Sequence, residues 1–497
     1  MTEDLTTVVV PTVGRPSLTV LLGRLANGSK PVEDPVIVVD DRRDPATPLP
    51  IDEAPRRLRV VRGGARGPAH ARNVGWRLAG TPWISFLDDD VLPDDDWYLR
   101  LLEDLERADP GTAGSQGRVR VPMPTGRRPT DWERSTGGLA QAQWITADMS
   151  YRRAALAAVG GFDERFPRAY REDSDLGLRV TANQGRIVTG ERRVTHPVRP
   201  ADDWVSLRTQ AGNADDFLMR ALHGPHWRAR AGAARGRRPR HVAITAAATT
   251  ALVAGITGRR TAALLAGAAW LAGTAEFAYA RIVPGPRDAA EVRRMLFTSA
   301  AIPPVATWHS VRGALRHRSV PPWRGLPELV LFDRDDTLVE DVPYNSRPEL
   351  VRPLPGVRRA LDDLRAEGVK VGVVSNQSGV GAGRISQDEL EAVNARVEEL
   401  LGPFDVWAVC PHSRDAGCAC RKPAPGLVLQ ACRQLAVDPA RCVVVGDIGS
   451  DVQAAHAAGA TGVLVPTGRT RREEVVSAGS VAASLPEAVE QLLRGVW

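Results

Sequence analysis

Leu329–Thr337 reads LVLFDRDDT, and the fold of the C-terminal third turns on it. Four apolar residues without alternation predict a strand buried on both faces, as in a parallel sheet. The run then breaks into Asp333 and Asp335. Two later stretches repeat this grammar. VKVGVVS (369–375) runs into Ser375 and Asn376, and CVVVG (442–446) runs into Asp447 and Asp451. Ligands of an open parallel sheet bind beyond the carboxyl ends of its strands. These polar residues, far apart in sequence, are therefore expected at one edge.

Carboxylates gathered at such an edge repel one another, and a hard divalent cation relieves that. Mg²⁺ on Asp333, Asp335 and Asp447 fits the oxygen chemistry. A carboxylate can also attack phosphorus. A second one two residues on can protonate the leaving oxygen and later activate water. Ser375, Asn376 and Lys422 would supply the donors and the cation that a phosphoryl group needs. A single Asp at a strand end is more simply a helix cap. The ordered set argues against that reading here.

The chain has five cysteines, and three of them fall in CPHSRDAGCACRKP, Cys410–Pro423. Cys410, His412, Cys418 and Cys420 have the ligand types of a closed tetrahedral Zn²⁺ site. Disulfides and free thiols are the competing readings, and a cytosolic setting disfavours the first. Arg421 and Lys422 follow the last candidate ligand, so a metal clip there would aim two cations. The chain uses only three lysines. A compact ammonium at this position suits a small phosphoryl group better than a planar guanidinium.

FDRDDT, SNQSGVGAG, CRKP and GDIGSD resemble the four motifs of the haloacid dehalogenase-like phosphatases. The resemblance covers about residues 327–470. Within that superfamily, SNQSG and the Cys/His loop resemble the D-glycero-D-manno-heptose-1,7-bisphosphate 7-phosphatase group. The histidinol-phosphate phosphatases are close relatives. The resemblance implies Asp333 as nucleophile and Asp335 as general acid and base. It implies Mg²⁺ on Asp333, Asp335 and Asp447, with the backbone carbonyl of Asp335 contributing, and Ser375 and Lys422 steadying the phosphoryl group. Substrate would meet Asp341, Tyr344, Asn376, Gln377, Ser378 and Arg421. It supports Zn²⁺ on the Cys/His loop. One position departs: Asp336 stands where the family usually has glycine.

The N-terminal third follows the same grammar. TTVVVPT (6–12), PVIVVDD (35–41) and WISFLDDD (83–90) predict buried strands ending in polar residues. Asp88 and Asp90 form a D-x-D that can hold Mg²⁺ or Mn²⁺ against a diphosphate. Glu172 and Asp173 fall at a predicted helix start, where one carboxylate can take a proton from a hydroxyl. VVVPTVGRP, IVVDD, GPAHARNVGWRLA, FLDDDVLPDDDW and REDSDLGLRV together resemble an inverting family 2 glycosyltransferase of the GT-A fold. That resemblance implies a nucleotide site lined by Pro11, Thr12, Arg15 and Asp41, with Arg72 and Asn73 nearby. It implies a metal on Asp88 and Asp90, Asp173 as base, and Asp148 at a sugar. His196 is either a late ligand or structural.

The chain as a whole is expected to be α/β with three parts. Residues 1–205 form the GT-A domain, 206–325 a helical connector, and 326–497 a Rossmann-like phosphatase domain with its zinc loop. In the connector, a basic run (228–241) precedes alanine-rich apolar stretches at 242–257 and 261–280. Two readings stand for 228–285: a helical segment packed on a soluble domain, or a membrane-associated hairpin with arginines at anionic headgroups. Hydrophobic (43%) and charged (25%) fractions are those of a soluble globular protein. The net charge of +6 comes from scattered arginines. With no nucleic-acid-binding pattern, sugar phosphates, nucleotide sugars and an anionic membrane are the better partners. The start of the chain lacks a signal-peptide pattern. A cytoplasmic location is expected, at the inner face of the membrane under the second reading of 228–285. The alternative functions are a histidinol-phosphate phosphatase or another phosphomonoesterase, with the N-terminal domain a non-catalytic nucleotide-sugar-binding module.

Overall fold

The computed structural model describes residues 4–183, 185–495 and 497. The chain divides into two compact units. The first comprises residues 1–157 and 161–322, and the second 158–160 and 323–497.

The first unit is built on an eight-stranded sheet. Its parallel part runs Leu58–Arg62, Val36–Asp40, Thr6–Thr12, Trp83–Leu87. Asp148–Arg152 then joins antiparallel, followed by Thr112–Arg120, Arg186–Thr195 and the short Leu92–Pro93. Val8, Val10, Val36 and Val38 project to one face and meet Leu18, Leu21, Leu22 and Leu25 of the helix Ser17–Asn27. Three strands therefore deliver their terminal polar residues to one edge: Thr12, Asp41 and Asp88.

The apolar stretches after residue 240 form two helices, Arg238–Ile256 and Arg260–Ile282, joined by a tight turn. Both belong to the first unit, with the longer helix Ala289–Arg316. Arg281 ties them to the transferase-like part. It pairs with Asp131 at 2.7 Å and donates to Thr298 and Ser299.

The second unit is a five-stranded sheet, parallel throughout. Its order is Val406–Cys410, Lys370–Asn376, Leu329–Phe332, Cys442–Gly446, Thr461–Leu464. LVLF sits at the centre and is wholly buried. Val330 and Phe332 face one apolar cluster, and Leu329 and Leu331 the other. Burial on both faces explains why no polar residue interrupts the run.

Candidate active sites

In the second unit, Asp333 follows the central strand, Ser375 lies in the Lys370–Asn376 strand, and Asp447 follows Cys442–Gly446. One carboxylate oxygen each of Asp333, Asp447 and Asp451 lie within 4.8 Å of one another. Asp451 is wholly buried in the first turn of the helix Gly449–Ala458. Lys422 is buried beside them. Its Nζ is 2.8 Å from Asp333 Oδ1 and 2.6 Å from Asp451 Oδ1, and it donates to the Val374 carbonyl at 2.9 Å. Burial pushes the Asp333 carboxyl up to about 7 despite the lysine's pull, with Asp451 and Asp335 adding repulsion. Burial, then Asp333, pushes Asp447 up to about 7 as well. Carboxylates that resist ionising together are the donor set a hard divalent cation suits.

Two expectations change here. Asp335 has its carboxylate drawn aside from Asp333, which leaves its backbone carbonyl as the ligand that the resemblance implies. It accepts from Arg334 at 3.0 and 3.1 Å and from Gln377 Nε2 at 2.8 Å. The third clustered carboxylate is Asp451, which the sequence reading noted without assigning. Its signal was the four-residue spacing from Asp447 across a strand-to-helix turn. Asn376, expected at substrate, spends both ends of its amide on the backbone of Lys422, at 3.0 and 3.2 Å. Gln377 also reaches Ser375 Oγ at 2.9 Å. These two amides position Lys422, Asp335 and Ser375. Ser378 opens the short helix Ser378–Gly381.

Asp336 has φ +55°, the left-handed region where glycine is at ease. Its Oδ1 accepts from the Asp341 N–H at 3.2 Å, and Arg469 Nε lies 3.5 Å from its other oxygen. Arg469 also pairs with Asp341. The added carboxylate is thus matched by a cation on the neighbouring loop. Tyr344 is exposed, with the Arg384 guanidinium 4.4 Å from its ring centre.

Cys410, His412, Cys418 and Cys420 converge, with one ligand atom from each inside 4.8 Å. Cys410 Sγ lies 3.6 Å from Cys418 Sγ and 3.3 Å from Cys420 Sγ, and His412 Nδ1 lies 3.2 Å from Cys420 Sγ. These are too long for disulfides and close to the ~3.8 Å sulfur–sulfur edge of tetrahedral zinc thiolates. The Arg421 guanidinium reaches back to the His412 carbonyl at 3.5 Å.

In the first unit, Pro11, Thr12, Arg15, Asp41, Arg72, Asp88, Asp90 and Asp173 line one cleft of about 640 Å³. The acidic triplet splits by direction. Asp89 points inward to Thr12 Oγ1 at 2.6 Å and Arg15 at 2.5 Å. Asp90 meets Arg199 at 2.9 Å and His196 at 3.7 Å, and burial, then Asp88, raises its pKa. The buried Arg72 bridges Asp88 and Glu172, at 2.8 and 2.9 Å. Burial, then Asp173, pushes Glu172 up to about 8, and burial raises Asp173 too. Asp41 accepts from the backbone of Arg66 and Gly67.

Two residues expected here sit elsewhere. Asp148 is wholly buried, held by Trp97 at 2.8 Å and Arg192 at 2.8 Å, so it braces the sheet behind the cleft lining. Asn73 is buried against Phe162, Glu164 and Trp76. Arg199 was missed, because nothing near it in sequence marks it.

Residues 419–491 match the family model for HAD-hydrolase-like proteins, and 7–166 that for glycosyl transferase family 2. The D-glycero-beta-D-manno-heptose-1,7-bisphosphate 7-phosphatase of Bordetella bronchiseptica is 34% identical over 176 residues, 34% of this chain and 98% of its own. The D-glycero-alpha-D-manno-heptose-1,7-bisphosphate 7-phosphatase of Mycobacterium tuberculosis is 43% identical over 108 residues, 21% of this chain and 57% of its own. A crystal structure of the B. bronchiseptica enzyme with magnesium and phosphate is 33% identical. It spans 34% of this chain and 98% of that one, with a TM-score of 0.31. The chain therefore belongs to the haloacid dehalogenase-like hydrolases, an enzyme that carries a phosphatase domain of that family behind an N-terminal family 2 glycosyltransferase domain.

Proposed function

We propose that the second unit removes one phosphate from a heptose 1,7-bisphosphate by way of an aspartyl-phosphate on Asp333. The observation that carries this reading is Lys422, buried with its ammonium against Asp333 and Asp451 beside Asp447. A fixed cation there offsets the phosphoryl charge as Asp333 Oδ attacks phosphorus and the ester oxygen leaves. Asp335, held by Gln377 and Arg334, protonates that oxygen and then draws the proton from the attacking water. Asp333, Asp447 and Asp451 would hold Mg²⁺, which supplies charge neutralisation at the phosphoryl oxygens. Cys410, His412, Cys418 and Cys420 would hold a structural Zn²⁺ that fixes the segment bearing Arg421 and Lys422.

The first unit would transfer a sugar from a nucleoside diphosphate, with Mg²⁺ or Mn²⁺ on Asp88 and Asp90 and Asp173 as base. Asp173 suits that role because burial raises its pKa while Arg72 occupies Glu172. A nucleotide-heptose donor would place both units in one reaction sequence. The enzyme would work in the cytoplasm.

Phosphate release from both anomers of heptose 1,7-bisphosphate and from histidinol phosphate tests the first reading, with bound zinc quantified on the same sample. Preference for histidinol phosphate, or an Asp333→Asn variant as fast as wild type, would overturn it. Binding of other nucleotide sugars but no nucleotide-heptose would sink the shared sequence.

A further inference from the structure

The helices Arg238–Ile256 and Arg260–Ile282 pack as a hairpin whose surface is apolar almost all round. Leu252, Val253, Ile256, Leu264, Leu265 and Leu271 are each more than half exposed. A helix apolar on every side belongs in a protein core or in lipid. The second helix is long and apolar enough to cross a membrane, and only 11% of its most apolar window is buried. The core is thereby excluded.

Charge and hydroxyl placement point the same way. No Asp, Glu, Lys or Arg occurs from 241 to 258 or from 261 to 275. At ~1.5 Å per residue these stretches span roughly 27 and 22 Å, close to the hydrocarbon thickness of a bilayer. Charges gather at the two ends. Arg259 and Arg260 cap the turn. At the base, Arg237 and Arg240 flank Glu276, the hairpin's one acid, at 3.2 and 3.3 Å. Thr245, Thr249 and Thr257 donate their hydroxyls to carbonyls one turn back, so these need no water. A second protein surface would not need this separation of apolar length from arginine ends, whereas anionic headgroups on either side of hydrocarbon do.

We propose that this hairpin is embedded in an anionic bilayer and anchors the first unit there. Phe277 and Arg281, at the hairpin's base, line a cavity of about 580 Å³ that shares Trp132, Ser135, Arg199 and Thr209 with the transferase cleft. Embedding sets that opening beside the lipid surface.

The test is flotation of the full chain with vesicles of phosphatidylglycerol and phosphatidylcholine, washed with high salt and with alkaline carbonate. Retention through both washes is expected. Leu264→Glu with Leu265→Glu should abolish it, each acid weakening the partition by roughly a hundredfold. Circular dichroism of that variant checks that it is folded. Three results would overturn the proposal: wild type that stays in solution, wild type released by salt or carbonate, or a lipid-free dimer whose formation the same two substitutions abolish. Should the double variant fail to fold, resistance of Leu252→Cys to a water-soluble thiol reagent, with and without vesicles, decides. Labelling unaffected by lipid would count against embedding.

Discussion

Replacing Lys422 with methionine keeps most of the apolar stem and deletes the ammonium. The ammonium lies 2.8 Å from Asp333 and 2.6 Å from Asp451, in a site where Lys422 is 4% exposed. Breaking a buried pair by removing one partner costs about 3–5 kcal/mol. The pH dependence separates this from lost packing. Asp333 already sits at about 7 with the lysine present. Without it, the folded-state pKa rises further above the unfolded value. Protons then replace the missing cation as pH falls, and the penalty shrinks by up to about 1.4 kcal/mol per pH unit as pH comes down toward ~7. Hydrogen exchange of the slow amides in Leu329–Phe332 and Cys442–Gly446, in metal-free buffer, reads the opening energy of this sheet alone. A penalty below ~1 kcal/mol, or one constant with pH, would refute the reasoning.

Magnesium affinity should fall as pH drops below 7, by up to about tenfold per pH unit for each proton displaced from Asp333 and Asp447. Calorimetry in buffers of different ionisation heat measures this, and a flat profile from pH 8 to 6 would contradict it. Asp336→Gly should stabilise the second unit by about 1 kcal/mol, because glycine holds φ +55° without strain. A less stable variant would show that the Arg469 contact outweighs the strain. Cys420→Ser should lose zinc by elemental analysis and slow phosphate release about tenfold. Full activity without zinc would remove the clip from the account.

Strand ends were legible from sequence because a parallel strand buried on both faces admits no polar residue until it reaches the edge. LVLF into Asp333 and CVVVG into Asp447 needed no knowledge of neighbours. The Cys/His loop was legible for a similar reason, its ligands being close in sequence. What each side chain does at the edge was less legible. Asp148 closes its own strand environment against Arg192, 44 residues away, and Asn376 binds the backbone of Lys422, 46 residues on. Sequence placed both near a site but not which partner consumes them. Asp335 shows the same limit, because Arg334 beside it and Gln377, 42 residues on, turn its carboxylate from the cluster. The hairpin's apolar length was visible, but that its side chains face outward was not.

All five thiols of the chain lie in the second unit, four of them within 23 residues of one another from Cys410 to Cys432. The first unit has none. A zinc chelator or a thiol-directed reagent therefore finds its cysteine target in the second unit alone. Under zinc starvation the phosphatase would slow while the transferase kept its chemistry, so one polypeptide would answer zinc supply with half of its activities.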